Sequence, residues 1–303
     1  MRHLGEIILI TSVVIAFLIL NYAVYESSEQ IRNYKREVFG MREDYKKLKE
    51  NYENLQTKIK NFRKVNILNS NSESKNALIA TIVEKYAKKV DGDVSIYYKN
   101  LTTGEAVTVD PERSYYMASL YKVILTIYLL EEVKEGHLKL TDAFGSPKIS
   151  LEEALDKIIT ESNNEYAVAL AQEYGWENIE EVMKEKLDIE FTFDEKLETN
   201  AENVGSLFEE IALSLKITDV ESEYLLRLLN EQQYTQKLPK YLPKNTISHN
   251  KTGELDSYSH DAAIFYTPKA NYVLVFMSST AAPAATNEQM ALMSKEIYET
   301  LNN

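Results

Sequence analysis

The sequence predicts an α/β sandwich, an antiparallel sheet flanked by helices with an added all-helical subdomain, behind a membrane-spanning helix and a helical stalk. Three observations predict this order. An uncharged apolar stretch lies near the N-terminus, and a heptad pattern follows it. The rest of the chain then reads as one helix, two strands, a helical block, three strands and a last helix, an order typical of a sheet covered by its terminal helices.

The apolar stretch runs from Ile7 to Val24 and contains no charged residue. Its length is close to the roughly 20 residues that a membrane-spanning helix needs. No small-residue cleavage site follows it, so residues 1–25 are interpreted as an uncleaved signal anchor, with a cleaved leader as the alternative. Basic residues flank the stretch on both sides, so charge alone does not determine which side of the membrane the chain occupies.

Residues 26–65 place apolar side chains three and four residues apart, the a/d spacing of a heptad. This seam runs from Ile31 to Phe62 without a proline. It predicts a helical stalk that can form a homo-oligomer as a coiled coil, and one long amphipathic helix packed on the rest of the chain is the alternative. The polar residues 66–76 predict a flexible linker. Residues 77–303 remain as the folded domain.

The elements of this domain follow from their periodicity. A helix over Ala77–Ala87 precedes two strands, Val94–Tyr98 and Ala106–Val109, which form a hairpin. The helical block covers Leu120–Val133, Leu151–Ile159, Glu165–Tyr174, Asn178–Lys186, Ala201–Leu215 and Val220–Asn230. The later strands and the last helix are Thr246–Lys251, His260–Tyr266, Tyr272–Ser278 and Asn287–Leu301.

Composition argues against several classes of function. The net charge is −13 and no cluster of lysine and arginine is present, which argues against a nucleic-acid partner. The chain has no cysteine, which excludes disulfides, thiolate nucleophiles and cysteine-bound zinc. The 4 histidines do not have the HxxxH spacing of a helical zinc site. The sequence therefore predicts no zinc site.

Three SxxK strings occur in the chain, and one of them opens a helix. Ser72–Lys75 lies in the predicted linker, and Ser248–Lys251 lies on a predicted strand, where its two side chains face opposite sides. Ser119 and Lys122 begin an apolar helix, one turn apart on the same face. The free backbone N–H groups of a helix start suit a developing oxyanion. A serine that only caps the helix would produce the same string.

Two further motifs follow in order. Ser162-Asn163-Asn164 lies between two predicted helices, and Lys251-Thr252-Gly253 closes a predicted strand. Each is weak alone. Together with the helical SxxK, in this order and context, they resemble the motifs of class A β-lactamases and penicillin-binding proteins. The resemblance extends from about Ser74 to Asn303 through Gly136–Asp142, Lys237–Pro239 and His260–Ala263.

The resemblance implies a class A β-lactamase-like fold and an acyl-transfer reaction. Ser119 would attack an amide carbonyl and form an acyl-enzyme, with Lys122 as the acceptor of its proton. Ser162 would pass a proton to the leaving nitrogen. The implied partner is a β-lactam or a peptidoglycan peptide, and neither a metal nor an organic cofactor is implied. The implied location is the cell membrane with the catalytic domain outside the cytoplasm.

The same resemblance assigns the substrate-binding residues. Asn164 would hold the amide side chain of the substrate, and Lys251 with Thr252 would bind its carboxylate at the strand edge beside Gly253. The backbone N–H of Glu254 would complete the oxyanion hole with that of Ser119. The acidic side chain of Glu254 lies next to this carboxylate site in the sequence, which argues against a strong preference for anionic β-lactams.

The chain departs from the class A pattern before Glu198, where no ExxLN motif is present to supply the glutamate that orients the deacylating water. The candidate carboxylates in this region are Glu185, Glu190, Asp194, Glu195 and Glu198. Acidic residues in loops are more often solvated surface. If none of them positions water, the acyl-enzyme is long-lived and the protein acts as a penicillin-binding protein or sensor.

Other interpretations remain open from the residues alone. The same cleft could hold a peptidoglycan peptide without catalysis, or the chain could be an envelope protein whose main role is association through the stalk. His249 or His260 with Asp261 raises a Ser-His-Asp triad as a third possibility, against which a structural histidine on a strand is the simpler interpretation. Trp176 is interpreted as a core residue.

Overall fold

The computed structural model describes residues 71–193 and 196–303. The predicted membrane anchor and heptad stalk lie outside the described residues and stay predictions. Within the described ranges, no helix combines the length and the apolar character that crossing a membrane requires. The first described helix begins at Asn71, inside the segment 66–76 predicted as a linker. Serine, asparagine and glutamate suit the first turn of a helix, so a polar run there does not require a flexible segment.

The long helices and the strands of the central sheet follow the order that the periodicity predicts. In chain order the described elements are α1 (Asn71–Ala87), β1 (Gly92–Asn100), β2 (Ala106–Val109), β3 (Ser114–Tyr116), a 3-10 turn (Ala118–Leu120), α2 (Tyr121–Lys134), β4 (Ala143–Phe144), β5 (Ile149–Ser150), α3 (Leu151–Thr160), α4 (Asn164–Tyr174), α5 (Trp176–Leu187), β6 (Glu198–Asn200), α6 (Ala201–Leu213), α7 (Asp219–Asn230), β7 (Ile247–Leu255), β8 (Tyr258–Tyr266), β9 (Asn271–Thr280) and α8 (Pro283–Asn302).

The central sheet has five antiparallel strands in the order β2-β1-β9-β8-β7. Successive side chains of a strand face opposite sides, so β1 contributes to two cores. Ile96 and Tyr98 pack with α1 and α8 on one face, and Tyr97 packs with the helical block on the other. The sheet is therefore buried on both faces, which confirms the predicted sandwich.

The helix α2 lies in the centre of the helical block. All of its residues from Tyr121 to Leu130 are buried. A helix that is apolar on every side needs neighbours on every side, and α3, α5 and α7 all contact it. The result is a rigid base for the segment that precedes α2, which carries Ser119.

Two short pairings lie outside the central sheet, and the sequence analysis does not predict them. The strand β3 pairs with β6, and β4 pairs with β5. The first pairing matters for the site, because Met117 N–H also donates to Leu197 O at 2.7 Å just after β3. This pairing holds the chain on the N-terminal side of the 3-10 turn.

Candidate active site

Ser119 lies in the 3-10 turn and not in the first turn of the α-helix itself. The residue before it, Ala118, has a φ of 47°, a left-handed conformation that is uncommon for a residue with a side chain. Such strain persists where the surrounding structure enforces it, and here Met117 and Leu120 are buried on either side. Ser119 itself is half-buried, so its hydroxyl lies at the boundary between the core and solvent.

Lys122 is completely buried, and its ammonium group is fully used by hydrogen bonds. Nζ donates to Ser162 O at 2.5 Å, to Ser162 Oγ at 3.3 Å and to Asn164 Oδ1 at 2.6 Å. Burial lowers the pKa of Lys122 to about 8, because a charged amine is poorly solvated there. A minor fraction of this lysine, roughly a fifth at pH 7.4, is therefore neutral and able to accept a proton, compared with about a thousandth for a lysine of ordinary pKa.

Ser162 joins the two lysines of the predicted motifs. Lys251 Nζ donates to Ser162 Oγ at 2.8 Å and to Thr252 O at 2.9 Å. Lys251 is buried, and burial followed by repulsion from Lys122 holds its pKa well below the usual range. Ser162, Lys122, Asn164 and Lys251 are called the lysine cluster below.

Local structure explains how Ser162 and Asn164 reach this cluster. Asn163 caps α4 by accepting a hydrogen bond from Tyr166 N–H at 3.0 Å, and Ser162 has a φ of 57°. The cap fixes the start of the helix, and the left-handed residue turns the chain just before it. The Ser162–Asn164 motif therefore presents its first and third side chains to Lys122, while its second side chain closes the helix.

The strand β7 forms the edge of the sheet next to the 3-10 turn. A Cβ at Gly253 would lie 2.9 Å from Met117 O and 3.3 Å from the Ala118 Cβ, so only glycine allows this approach. The strand continues four residues beyond the predicted end at Lys251, to Leu255. Thr252 and Glu254 therefore lie on the same edge strand as Lys251.

An open cavity of about 420 Å³ borders Tyr121, the residue before Lys122. Its lining is mostly apolar and aromatic, and it is called the aromatic pocket below: Tyr116, Tyr121, Val168, Trp176, Glu177, Phe193 and Leu197. The Tyr121 ring centroid lies 6.0 Å from Lys122 Nζ and 5.3 Å from the Trp176 ring centroid. Trp176 is thus half-buried in a pocket wall, and its interpretation as a core residue is only partly right.

The candidate carboxylates do not reach the lysine cluster in the described part of the chain. Glu185 is exposed on α5, Glu190 is exposed and lies 3.7 Å from Lys184 Nζ, and Glu198 pairs through β6 with Tyr116. No described carboxylate forms an ion pair with Lys122 or Lys251. Asp194 and Glu195 lie outside the described residues, so these two candidates stay untested.

The histidine alternative is wrong. His260 is fully buried and uses both ring nitrogens on the backbone: Nε2 lies 2.8 Å from Tyr116 O, and Nδ1 accepts from Ser278 N–H at 3.1 Å. Burial lowers its pKa to about 4, so it stays neutral. The Asp261 carboxylate accepts from Asn250 and from Leu238 N–H instead of contacting His260. Both residues are structural.

Sequence reasoning missed two polar residues near Glu254. Lys237 Nζ lies 3.0 Å from Glu254 Oε1, and Asn287 Nδ2 donates to the same oxygen at 3.3 Å. Lys237 belongs to the segment Lys237–Pro239, which carries part of the resemblance to class A β-lactamases, but its position in the sequence indicates no role. Asn287 begins the predicted last helix, far away in the sequence. Only the tertiary structure brings these residues to the end of β7.

Comparison with known protein families matches residues 76–301 to the Beta-lactamase enzyme family. None of the curated proteins compared with the chain matches it. Solved structures do. A β-lactamase from Chitinophaga pinensis matches with a TM-score of 0.70 and 18% identity, over 74% of this chain and 99% of that chain.

The TLA-1 extended-spectrum β-lactamase matches with a TM-score of 0.68 and 17% identity, over 76% of this chain and 99% of that chain. PBP-A matches with a TM-score of 0.66 and 18% identity, over 72% and 95%. At these identities the likeness shows the fold. Because the family match covers most of the sequence, the chain belongs to the Beta-lactamase enzyme family of serine hydrolases and has the class A β-lactamase-like fold.

Proposed function

We propose that the chain is a serine acyl-transfer hydrolase that forms an acyl-enzyme on Ser119 with a β-lactam or a D-alanyl-peptide-like amide. One observation carries the proposal: Lys122, Ser162 and Lys251 share one hydrogen-bond network next to the turn that holds Ser119. Two buried lysines without an ion pair to any described carboxylate are costly for the fold, and such perturbed groups mark functional sites.

Acylation would begin at the Ser119 hydroxyl. Its oxygen attacks the carbonyl carbon while neutral Lys122 accepts the proton, which gives a tetrahedral intermediate with a negatively charged oxygen. The C–N bond then breaks, and the leaving nitrogen takes a proton from the Ser162 hydroxyl. Lys122 returns its proton to Ser162 Oγ, 3.3 Å away. The product is an ester on Ser119, and the lysine cluster is back in its starting state.

The substrate-binding roles belong to the same proposal. The backbone N–H groups of Ser119 and Glu254 would stabilise the oxyanion, and Asn164 would hold the amide of the acyl side chain. Lys251 and Thr252, with Gly253 between the strand and the turn, would receive a substrate carboxylate as charge-assisted partners. The buried position of Lys251 strengthens such a contact, because water screens it poorly.

The aromatic pocket favours a second candidate, a penicillin-binding or sensor function with a long-lived acyl-enzyme. Hydrolysis of the ester needs a water held by a general base. The pocket offers the rings of Tyr121, Trp176 and Phe193, none of which can take a proton at neutral pH. Its one carboxylate among the described residues, Glu177, is exposed and forms no hydrogen bond with the lysine cluster. A solved structure of a PBP-A mutant, similar to this chain in fold, is an acyl-enzyme complex with penicillin G.

The N-terminal sequence supports a membrane location for this activity. We propose that residues 1–25 anchor the chain in the cell membrane and that residues 26–65 carry the catalytic domain away from the surface, outside the cytoplasm. The support is the apolar stretch and the heptad seam of the sequence.

The test is the intact mass of the full chain after incubation with a penicillin, followed over hours together with a Ser119→Ala variant. We expect a mass increase that requires Ser119. An adduct that persists supports the penicillin-binding function, whereas an adduct that disappears as the drug is consumed supports β-lactamase turnover. No adduct and no loss of drug would contradict the proposal and favour a non-catalytic binding module or a stalk protein.

A further inference from the structure

An ion pair at the end of β7 has no part in the reaction proposed above. The Lys237 side chain is 5% exposed, and its Nζ donates to His260 O at 2.9 Å and lies 3.0 Å from Glu254 Oε1. The Glu254 side chain is 60% exposed. Lys237 is thus part of the core, whereas the side chain of Glu254 extends toward solvent.

The pair lies on the side of the strand where a substrate carboxylate would bind. Side chains two residues apart share a face of a strand, so Glu254 lies on the same face as Thr252. Asp261, opposite Thr252 in the sheet, interacts electrostatically with Lys237 from this face as well. The Lys237 ammonium group is therefore a second cation near the strand edge, on the Thr252 face.

The Glu254 carboxylate makes the same kinds of contact, with a cation and an amide N–H, that the carboxylate of a ligand would make here. Its Oε1 receives Lys237 Nζ and, at 3.3 Å, Asn287 Nδ2, and Asn287 is itself oriented by a 2.6 Å hydrogen bond from Ser259 Oγ. Burial raises the pKa of the Glu254 carboxyl, but Lys237 outweighs this and holds it below the usual range. Glu254 is therefore ionised at neutral pH.

We propose that Glu254 acts as a built-in competitor for the substrate carboxylate, so that Lys251 and Thr252 bind an anionic leaving-group end less well than they otherwise would and the site also takes acyl donors whose leaving-group end is uncharged. A carboxylate that approaches Thr252 finds Lys237 already neutralised and meets the charge of Glu254. An ester or a carboxamide at the same place meets no such repulsion. This inference rests on the proposed acyl transfer and names the substrate class that the site selects.

The experiment compares a penicillin with its methyl ester, which differ in one charge. Acylation rates of the full chain are measured for both compounds in the unchanged protein and in Glu254→Gln. We expect the ratio of the carboxylate rate to the ester rate to rise about tenfold, as a removed charge repulsion predicts. An unchanged ratio would overturn the inference.

Two further variants make the result specific. Glu288→Gln removes a charge from the same region, but Glu288 pairs with Lys240 and Tyr241, so the ratio should stay at its original value. In a Lys237→Met background, Glu254→Gln should no longer raise the ratio by as much, because the cation that it frees is gone. An equal rise with and without Lys237 would show a general effect of charge. It would contradict the proposed subsite, which is the place beside Thr252 where Glu254 and a substrate carboxylate compete for Lys237.

Binding to the Ser119→Ala variant separates this inference from the proposed function. The ligands are an N-acetylated dipeptide with a free carboxylate and its carboxamide, measured by calorimetry with and without Glu254→Gln. A selective gain of about tenfold for the carboxylate supports the subsite even if the chain acylates nothing. Acylation without any shift in either ratio leaves the proposed function standing and overturns the subsite. If the chain is not acylated and binds neither ligand, both the proposed function and the proposed subsite are contradicted.

Discussion

Two regions next to Lys122 differ in their chemistry. The lysine cluster is buried, polar and satisfied, with the Ser162 hydroxyl bound to two lysines. The aromatic pocket, which begins at the Tyr121 ring, is open and built mostly from apolar side chains. The first region holds the proton-transfer groups that forming an ester on Ser119 requires. The second contains one carboxylate among its described residues, the exposed Glu177, and it forms no hydrogen bond with the lysine cluster.

The difference between the lysine cluster and the aromatic pocket indicates that acylation and deacylation depend on separate groups within one fold. The fold positions Ser119 through α2, β3 and the edge strand β7, and although α2 and β3 also supply Tyr121 and Tyr116 to the aromatic pocket, none of the side chains of the lysine cluster lines it. A chain can therefore keep the first reaction while its second reaction is slow. The variants below test each region separately, in order of decreasing effect.

The largest effect is expected from Lys122→Met. This change removes the proposed base, and general-base removal typically costs about 10²–10⁴-fold in rate. Methionine keeps the length and fills the buried space, so the fold should persist. The measurement is the acylation rate with a penicillin. Lys184→Met, at a surface lysine paired with Glu180, is the control and should acylate at the original rate. Equal rates in both variants would contradict a role for Lys122.

The pH dependence of acylation should be smaller but still more than tenfold. Burial lowers the pKa of Lys122 to about 8, so the neutral form that accepts a proton increases as the pH rises through that value. The acylation rate should therefore rise between pH 6 and pH 9 and level off above the midpoint. Rates measured in the unchanged protein across this range check the sign. A rate that falls as the pH rises would indicate that protonated Lys122 is the active form, and it would contradict the role of Lys122 as the base.

The sequence alone predicts much of the fold, because long periodic segments carry their own signal. Periodicity predicts every long helix and strand of the domain, and the motifs predict the residues of the lysine cluster. The three-residue pairing of β3 with β6 was missed, since so short a strand has no alternation of its own. The partners of Glu254 were missed for a related reason: Lys237 and Asn287 reach it only through tertiary packing.

A carboxylate added to the aromatic pocket should shorten the lifetime of the acyl-enzyme. Val168 lies one helical turn after Asn164 on α4, so the two share a face, and it is 37% exposed. Val168→Glu can therefore place a carboxylate near Asn164 without burying a charge. We expect the adduct on Ser119 to disappear about tenfold faster by intact mass. Val168→Gln has the same shape without the charge and should leave the lifetime unchanged; a gain in both variants would point to shape instead of base catalysis.

The smallest effect is expected at Gly253, which belongs to neither region. An added Cβ would lie 2.9 Å from Met117 O, so Gly253→Ala should push β7 away from the turn that carries Ser119. Overpacking of this kind costs about 1–3 kcal/mol in unfolding free energy, measured by denaturant titration, and acylation should slow several-fold. Gly104→Ala is the control, because Gly104 has a φ of 78° but no atom within 4 Å of its added Cβ. It should lose stability through backbone strain while acylation keeps its rate. If both variants slow acylation equally, the close approach of β7 to the turn does not position Ser119.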